Sequence, residues 1–335
     1  MKRPAVRLID VADAAQTSIK TASRVINGDV RVAAETRLRV ENAVKDLGYQ
    51  VDLLARSLRR GVDDAVGVVV QKIGDPFFAA AIEEIERVAY DRGIQVIVAS
   101  THGDETRERD LVVGLRQRRV AGMIITPNAT DFSFLASSST PVVFFDRVPR
   151  NLDADVVLVG DREGGRMAVR HLLKHGHARV AVVADSIHID TSRNRYYGYL
   201  DALDEVGIAI DDLLIRTDCA DIKDAEEATH VLLDLPDPPT AIFSCRAETS
   251  FGVVKVMHRR FRTDIALVSF DDFEMADTIS PAITVLDHSA RVLGRLAIEK
   301  LFSRMDGDTS PKVHTIPKLQ IIERGSGEIF LQGAS

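Results

Sequence analysis

Apolar residues return along this chain in two textures, and the change between them falls near residue 60. In the first stretch Leu8, Val11, Ala12 and Ala15 recur at helical spacing, which predicts a short helix over 8–14. A second helix is predicted from Ser18, with Ala22, Val25 and Ile26 facing inward and Ser18, Lys20, Thr21, Ser23 and Arg24 left on a polar face. Ser18 can cap its first turn, and Asn27-Gly28 end it with residues that tolerate positive φ. Leu38, Val40, Ala43, Val44 and Leu47 predict a third helix over 33–47. Two short helices joined by a tight turn form a helix-turn-helix, and a helix bearing Lys, Ser, Thr and Arg near its start suits the major groove. A unit of about 50 residues has a marginal core, so it is expected to work as a paired module on a larger body. The segment VDLLARSLRR, 51–60, carries helix formers but is too short to hold a helix alone in water, and reads as a hinge.

From Ala65 the pattern becomes short β-branched runs at 65–70, 94–100, 121–126, 141–145, 179–184, 240–244 and 265–270. Helical stretches such as 77–92, 163–175, 192–206 and 248–260 lie between them. Strand and helix in turn imply parallel sheets covered on both faces, and about a dozen elements suggest two such layers. The fold class expected is therefore an α head followed by an α/β body.

Length and charge sharpen this division. At 335 residues the chain exceeds one compact core. The net charge of −7 looks wrong for a DNA binder until it is divided. Residues 1–60 hold 12 Lys and Arg against 7 Asp and Glu, a balance of +5, which leaves −12 on the rest. A basic head supplies phosphate contacts, and an acidic body stays off the duplex. No apolar run reaches the roughly 18–20 residues of a membrane span, and MKRPAVRLID lacks the apolar core of a signal peptide, so a cytoplasmic location is expected. Cys219 and Cys245 have no zinc or redox spacing and read as free thiols.

The ordered set Asp10-Val11-Ala12, Ala15, Ser18, Thr21, Ser23-Arg24-Val25, Asn27-Gly28, Glu35-Thr36-Arg37, Leu47-Gly48-Tyr49 and Ala55-Arg56-Ser57-Leu58 resembles the lactose-repressor (LacI/GalR) family of bacterial transcription regulators. The likeness continues through Pro76-Phe77-Phe78 to Ile321-Ile322-Glu323-Arg324. It implies a head at 1–50, a hinge at 51–61 and a body at 62–335 resembling periplasmic sugar-binding proteins, with strand crossings near 160, 287 and 318. Lobe 1 would then span about 62–159 and 288–318, and lobe 2 about 160–287 and 319–335. It also implies a homodimer on a palindromic operator, read through Ser18, Ile19, Lys20, Thr21, Ser23, Arg24, Asn27 and Tyr49. Leu58, with Ala55 beside it, would wedge into the minor groove. Several positions depart from the family: Gln16-Thr17 replace its turn glycine and valine, Val51-Asp52 its Pro-Asn, and Arg7 and Ala33 its helix caps.

Parallel sheets place ligands at the carboxyl ends of strands, so a small effector is expected between the lobes. The resemblance assigns Arg195 and Asp271 to its polar groups and Phe77 and Phe273 to the walls. Lys72, Asp146, Asp161, Thr191 and Arg246 stand at other strand ends. Arg246-Ala247 replaces the Asn-Asp of many sugar-responsive members, and Gly160 an aspartate. Lys72, Arg195 and Arg246 would be costly together without an anion, which points to a sugar acid, phosphorylated sugar or dicarboxylate. The alternative is that Arg246 closes the cleft against Asp146 or Asp271 and leaves little affinity for any small molecule. A regulator without an effector, or a cytoplasmic solute-binding protein with a vestigial head, also stays open.

An enzyme is not expected. Asp271-Asp272 are adjacent and point apart, and GDREGG and GSGE lack a P-loop's lysine. His171, His175 and His177 have no Glu-x-x-His partner and read as surface or capping residues, so neither metal nor cofactor is expected.

Overall fold

The computed structural model describes residues 6–26, 29, 31–49, 65–128 and 131–331. The chain divides into two compact units, residues 1–63 and 64–335.

The first unit holds helices α1 (Leu8–Ala14), α2 (Ile19–Ile26) and α3 (Ala34–Leu47). Their shared core is built from small side chains, Val11, Ala12, Ala15, Ala22, Val25, Val40 and Ala43, all buried. Small residues let short helices approach closely, which is how so few residues close a core. The poor cap at Arg7 is compensated, because the Asp10 carboxylate accepts from the Arg7 amide at 2.7 Å. Ala33 supplies no side-chain cap to α3. Gln16 occupies the turn between α1 and α2 in the left-handed region, at φ +51°.

The second unit is two six-stranded sheets with helices on both faces. The first sheet contains β1 (Ala65–Val70), β2 (Gln95–Ser100), β3 (Gly122–Ile125), β4 (Val142–Phe145), β5 (Asp155–Val157) and β11 (His314–Thr315). Their order is β11-β5-β4-β3-β1-β2, all parallel. Helices α4 (Pro76–Asp91), α5 (Glu105–Gln117) and α10 (Ala290–Met305) belong to this lobe. The second sheet contains β6 (Val180–Val183), β7 (Ile215–Arg216), β8 (Ala241–Ser244), β9 (Ala266–Phe270), β10 (Thr284–Asp287) and β12 (Gln320–Ile322). Its order is β12-β10-β9-β8-β6-β7, with only β12 running antiparallel. Helices α6 (Asp161–Lys174), α7 (Asp190–Glu205), α8 (Ile222–Leu233) and α9 (Ala247–Arg259) cover it.

The chain thus passes between lobes after β5, after β10 and between β11 and β12. Every residue of β1 is buried, as expected of a strand covered on both faces. α6 and α7 meet at backbone distance, since a Cβ on Gly198 would lie 2.1 Å from the Arg162 carbonyl oxygen. That approach brings Arg195, on α7, beside the first turn of α6.

Candidate functional site

In the head, Ser18 Oγ accepts from the Thr21 amide at 3.1 Å and so starts α2. Ser18, Ile19, Lys20 and Arg24 are exposed, while Thr21 and Ser23 are half-buried. α2 therefore offers a face of hydroxyls, one ammonium and an apolar Ile19 that is 48% exposed. Arg24 is held in the head by a 3.0 Å bond from Nε to Asp29. Asp29, which has no sequence signal of its own, also receives Arg31, and its backbone oxygen accepts from Arg37 Nη2 at 2.8 Å. Hydrogen bonds from Arg31 hold its carboxyl well below the usual carboxylate range. Tyr49 is half-buried against the helical core. Asn27, Ala55 and Leu58, together with the hinge, lie outside the described residues.

In the body, the cleft between the lobes is organised on Arg195, whose side chain is 9% exposed. Its Nε donates to Asp161 at 2.7 Å and its Nη1 to the Cys245 carbonyl at 2.7 Å, with Asp271 at 3.4 Å. The guanidinium lies 3.8 Å from the Phe270 ring centroid. Asp271, at the end of β9 with φ +72°, also accepts from His288 Nε2 at 2.6 Å. Burial pushes the Asp271 carboxyl up, but Arg195 and His288 outweigh it and bring it down to about 2. Asp161 goes the other way: burial lifts it to about 7 against the pull of Arg195, helped by the Asp146 charge. Burial also raises Asp146, which meets Arg147 at 3.4 Å, and Asp75, which caps α4 through the Phe77 amide at 2.9 Å.

Phe77 stacks on Phe145 at 5.5 Å and meets the His288 ring edge-on at 5.2 Å, forming an apolar wall. Phe273 does not join it; its ring is 8% exposed and packs on Phe251 in the core of the second lobe. Thr191 is half-buried in the first turn of α7. A neighbouring pocket of about 400 Å³ is lined by Gln71, Asn128, Arg147 and Arg150 of one lobe and His188 and Asp190 of the other.

The three cations do not share an uncompensated cleft, which corrects the charge expectation. Arg195 has Asp161 and Asp271. Arg246 Nη1 donates to Asp185 at 2.6 Å, and its Nη2 donates to Glu248 at 2.6 Å and to the Ala220 carbonyl at 2.8 Å. Its partners are thus neither Asp146 nor Asp271. Lys72 reaches across the lobes to Glu248 at 3.1 Å. No anion is needed to balance these groups.

Several buried polar atoms of residues just after strands are instead left unpaired. Among the described residues, Thr126 Oγ1, Arg246 Nε and His288 Nδ1 are buried without a hydrogen-bond partner, and Arg147 Nε has only its 3.4 Å ion pair with Asp146. In sequence, Thr126, Asp185 and His288 are marked only by their positions just after strands, and Glu248 only by its place in the first turn of a helix. Asp272 pairs with Arg324, outside any acid dyad. His171 and His177 are buried, not surface residues, and bind Glu328 at 2.5 Å and the Ile329 carbonyl at 2.6 Å. Among the described residues, no group of His, Cys, Asp or Glu could hold a metal, and no helix is long and apolar enough to cross a membrane.

Comparison with known proteins agrees with both halves of this geometry. Residues 7–52 match the family model of bacterial regulatory proteins, lacI family, and residues 63–324 that of periplasmic binding proteins and the sugar binding domain of the LacI family. The HTH-type transcriptional repressor PurR of Photobacterium profundum is 30% identical, covering 88% of this chain and 91% of its own. The ribose operon repressor of Escherichia coli is 29% identical over 95% of this chain and 98% of its own. A structure of the transcriptional regulator CelR with cellobiose has a TM-score of 0.71 at 26% identity, covering 97% of this chain and all of its own. The lac repressor dimer bound to operator and an anti-inducer shares the fold, with a TM-score of 0.84 at 23% identity over 98% of this chain and all of its own. The chain belongs to the LacI family of bacterial transcription regulators.

Proposed function

We propose that the protein is a homodimeric, cytoplasmic repressor of a two-fold symmetric operator, controlled by a neutral, hydroxyl-rich effector in the inter-lobe cleft. In this reading residues 1–50 read DNA, 51–61 form the hinge and 62–335 bind effector and partner subunit. α2 presents Ile19 for a thymine methyl and Lys20 for guanine or phosphate. Two copies would place two such helices in successive major grooves. An effector that prefers one lobe arrangement would shift the DNA-binding equilibrium by that preference.

The observation that carries the effector class is that Lys72, Arg195 and Arg246 already hold carboxylates, while Thr126 Oγ1, Arg246 Nε and His288 Nδ1 are buried without a hydrogen-bond partner. Buried polar atoms are nearly always satisfied, and each one left over costs about 1–3 kcal/mol. Unpaired donors and acceptors alike suit hydroxyl groups, which do both. Because Lys72, Arg195 and Arg246 already hold carboxylates, a phosphate or acid bound by any of them would have to displace one. The similar proteins named for ribose and bound to cellobiose support the same class.

Isothermal titration of neutral monosaccharides and polyols against their phosphates and acids tests this. Neutral compounds are expected to bind at least tenfold more tightly than their charged counterparts. Binding of anions alone would overturn the effector class, and no binding at all would favour a regulator without an effector.

A further inference from the structure

Glu248 sits in the first turn of α9, where the helix N-terminus favours a negative charge. Arg246, the residue that caps this helix with its backbone, is itself anchored by Asp185 and the Ala220 carbonyl, and it holds one oxygen of Glu248 at 2.6 Å. The other oxygen is aimed at the opposite lobe, where Lys72 Nζ, just beyond β1, lies 3.1 Å away. We propose that Asp185, Arg246, Glu248 and Lys72 form a clasp that holds the two lobes closed when no effector is present.

Three fixed anchors in the second lobe already position the acceptor, so only the Lys72 side chain loses freedom when the clasp forms. Lys72 is 53% exposed and Glu248 20% exposed, so the bridge is screened by salt, unlike the buried Arg195 network. Asp75 and Asp221 also face this point: burial raises the Asp75 carboxyl, with Asp271 and Glu248 raising it further and Arg246 drawing it down, while backbone hydrogen bonds lower Asp221, with Lys72 adding to the pull. An effector entering between the lobes must break the Lys72–Glu248 bridge or wait for it to open. The clasp thus sets a threshold for the response, independent of which effector is bound.

Amide hydrogen exchange of the full-length, effector-free protein tests this, read over 147–150 and 188–193 on the two sides of the mouth. An exposed pair of this kind is worth roughly a twofold to fivefold shift in an opening equilibrium, so Lys72→Met should speed exchange there by about that factor. Lys72→Arg should keep the wild-type rate. Adding Lys72→Met to Glu248→Gln should produce no further change, and 0.5 M salt should speed the wild type but not Lys72→Met. Wild-type exchange in Lys72→Met, or an equal effect of that change in the Glu248→Gln background, would overturn the clasp. Because no effector is added, these outcomes are independent of whether the proposed effector class is right.

Discussion

Replacing Arg195 with methionine removes the guanidinium and keeps most of the apolar stem. The wild-type side chain is 9% exposed and holds Asp161 at 2.7 Å, the Cys245 carbonyl at 2.7 Å and Asp271 at 3.4 Å. Removing one partner of a buried ion pair typically costs 3–5 kcal/mol, because the other charge stays behind. Here part of that penalty can be relieved. Asp271 keeps its 2.6 Å bond from His288, and Asp161, already raised to about 7, can take up a proton. Methionine sulfur against Phe270 recovers part of the lost cation–π contact. The loss should therefore be about 3 kcal/mol near pH 7.

Its pH dependence follows from linkage. Removing Arg195 raises the folded-state pKa of Asp161 further above its unfolded value, so the folded variant holds more protons than the unfolded chain up to a higher pH. The deficit should grow as pH rises and shrink toward pH 5. Urea unfolding of the full-length protein at pH 5, 7 and 8.5, following the transition of the body, measures this. A loss under 1 kcal/mol, or one that does not change with pH, would refute the account of this network.

Asp161 alone gives a related expectation. Its folded pKa of about 7 lies above the ordinary carboxylate value of an unfolded chain, so it lowers stability progressively as pH rises between the two. Asp161→Asn should flatten that fall and make the body more stable than wild type at pH 8, as read by the same unfolding curves. Gln16 holds φ +51° with a side chain, so Gln16→Gly should stabilise the head by about 0.5–1 kcal/mol, seen as slower amide exchange in α1 and α2. Lys20→Ala should weaken operator binding and reduce the slope of log K against log salt by about 1 if Lys20 meets a phosphate, or relax specificity at one base if it meets guanine.

The helices of the head were legible because their burial follows local spacing: Val11, Ala12 and Ala15 recur within one turn of each other and are all buried. The long strands were legible for the same reason, since each residue of AVGVVV is apolar and buried. Strands of two or three residues, such as Ile215–Arg216 and His314–Thr315, are too short to carry a period. The edge strand Gln320–Ile322 gives no sign of its antiparallel direction, which depends on where the chain re-enters the second sheet.

Charge compensation was illegible for a different reason. The cations of the cleft stand out in sequence, but their partners come from far along the chain: Asp185 lies 61 residues from Arg246, and Glu248 lies 176 from Lys72. Counted without those partners, the cations call for an anion. His171 looks like a surface residue until Glu328, 157 residues later, folds back over it. The unpaired atoms at Thr126 and His288 are a property of packing and have no sequence signal at all.

The most direct test of the central claim is fluorescence anisotropy of the full-length protein on its own upstream DNA, titrated with neutral polyols and with anionic metabolites. Tight, salt-sensitive binding that one neutral, hydroxyl-rich compound shifts at least tenfold, and that its phosphate ester does not, is the predicted result. Specific binding shifted only by an acid or phosphate ester would contradict the cleft chemistry, and absence of specific binding would contradict the regulator itself.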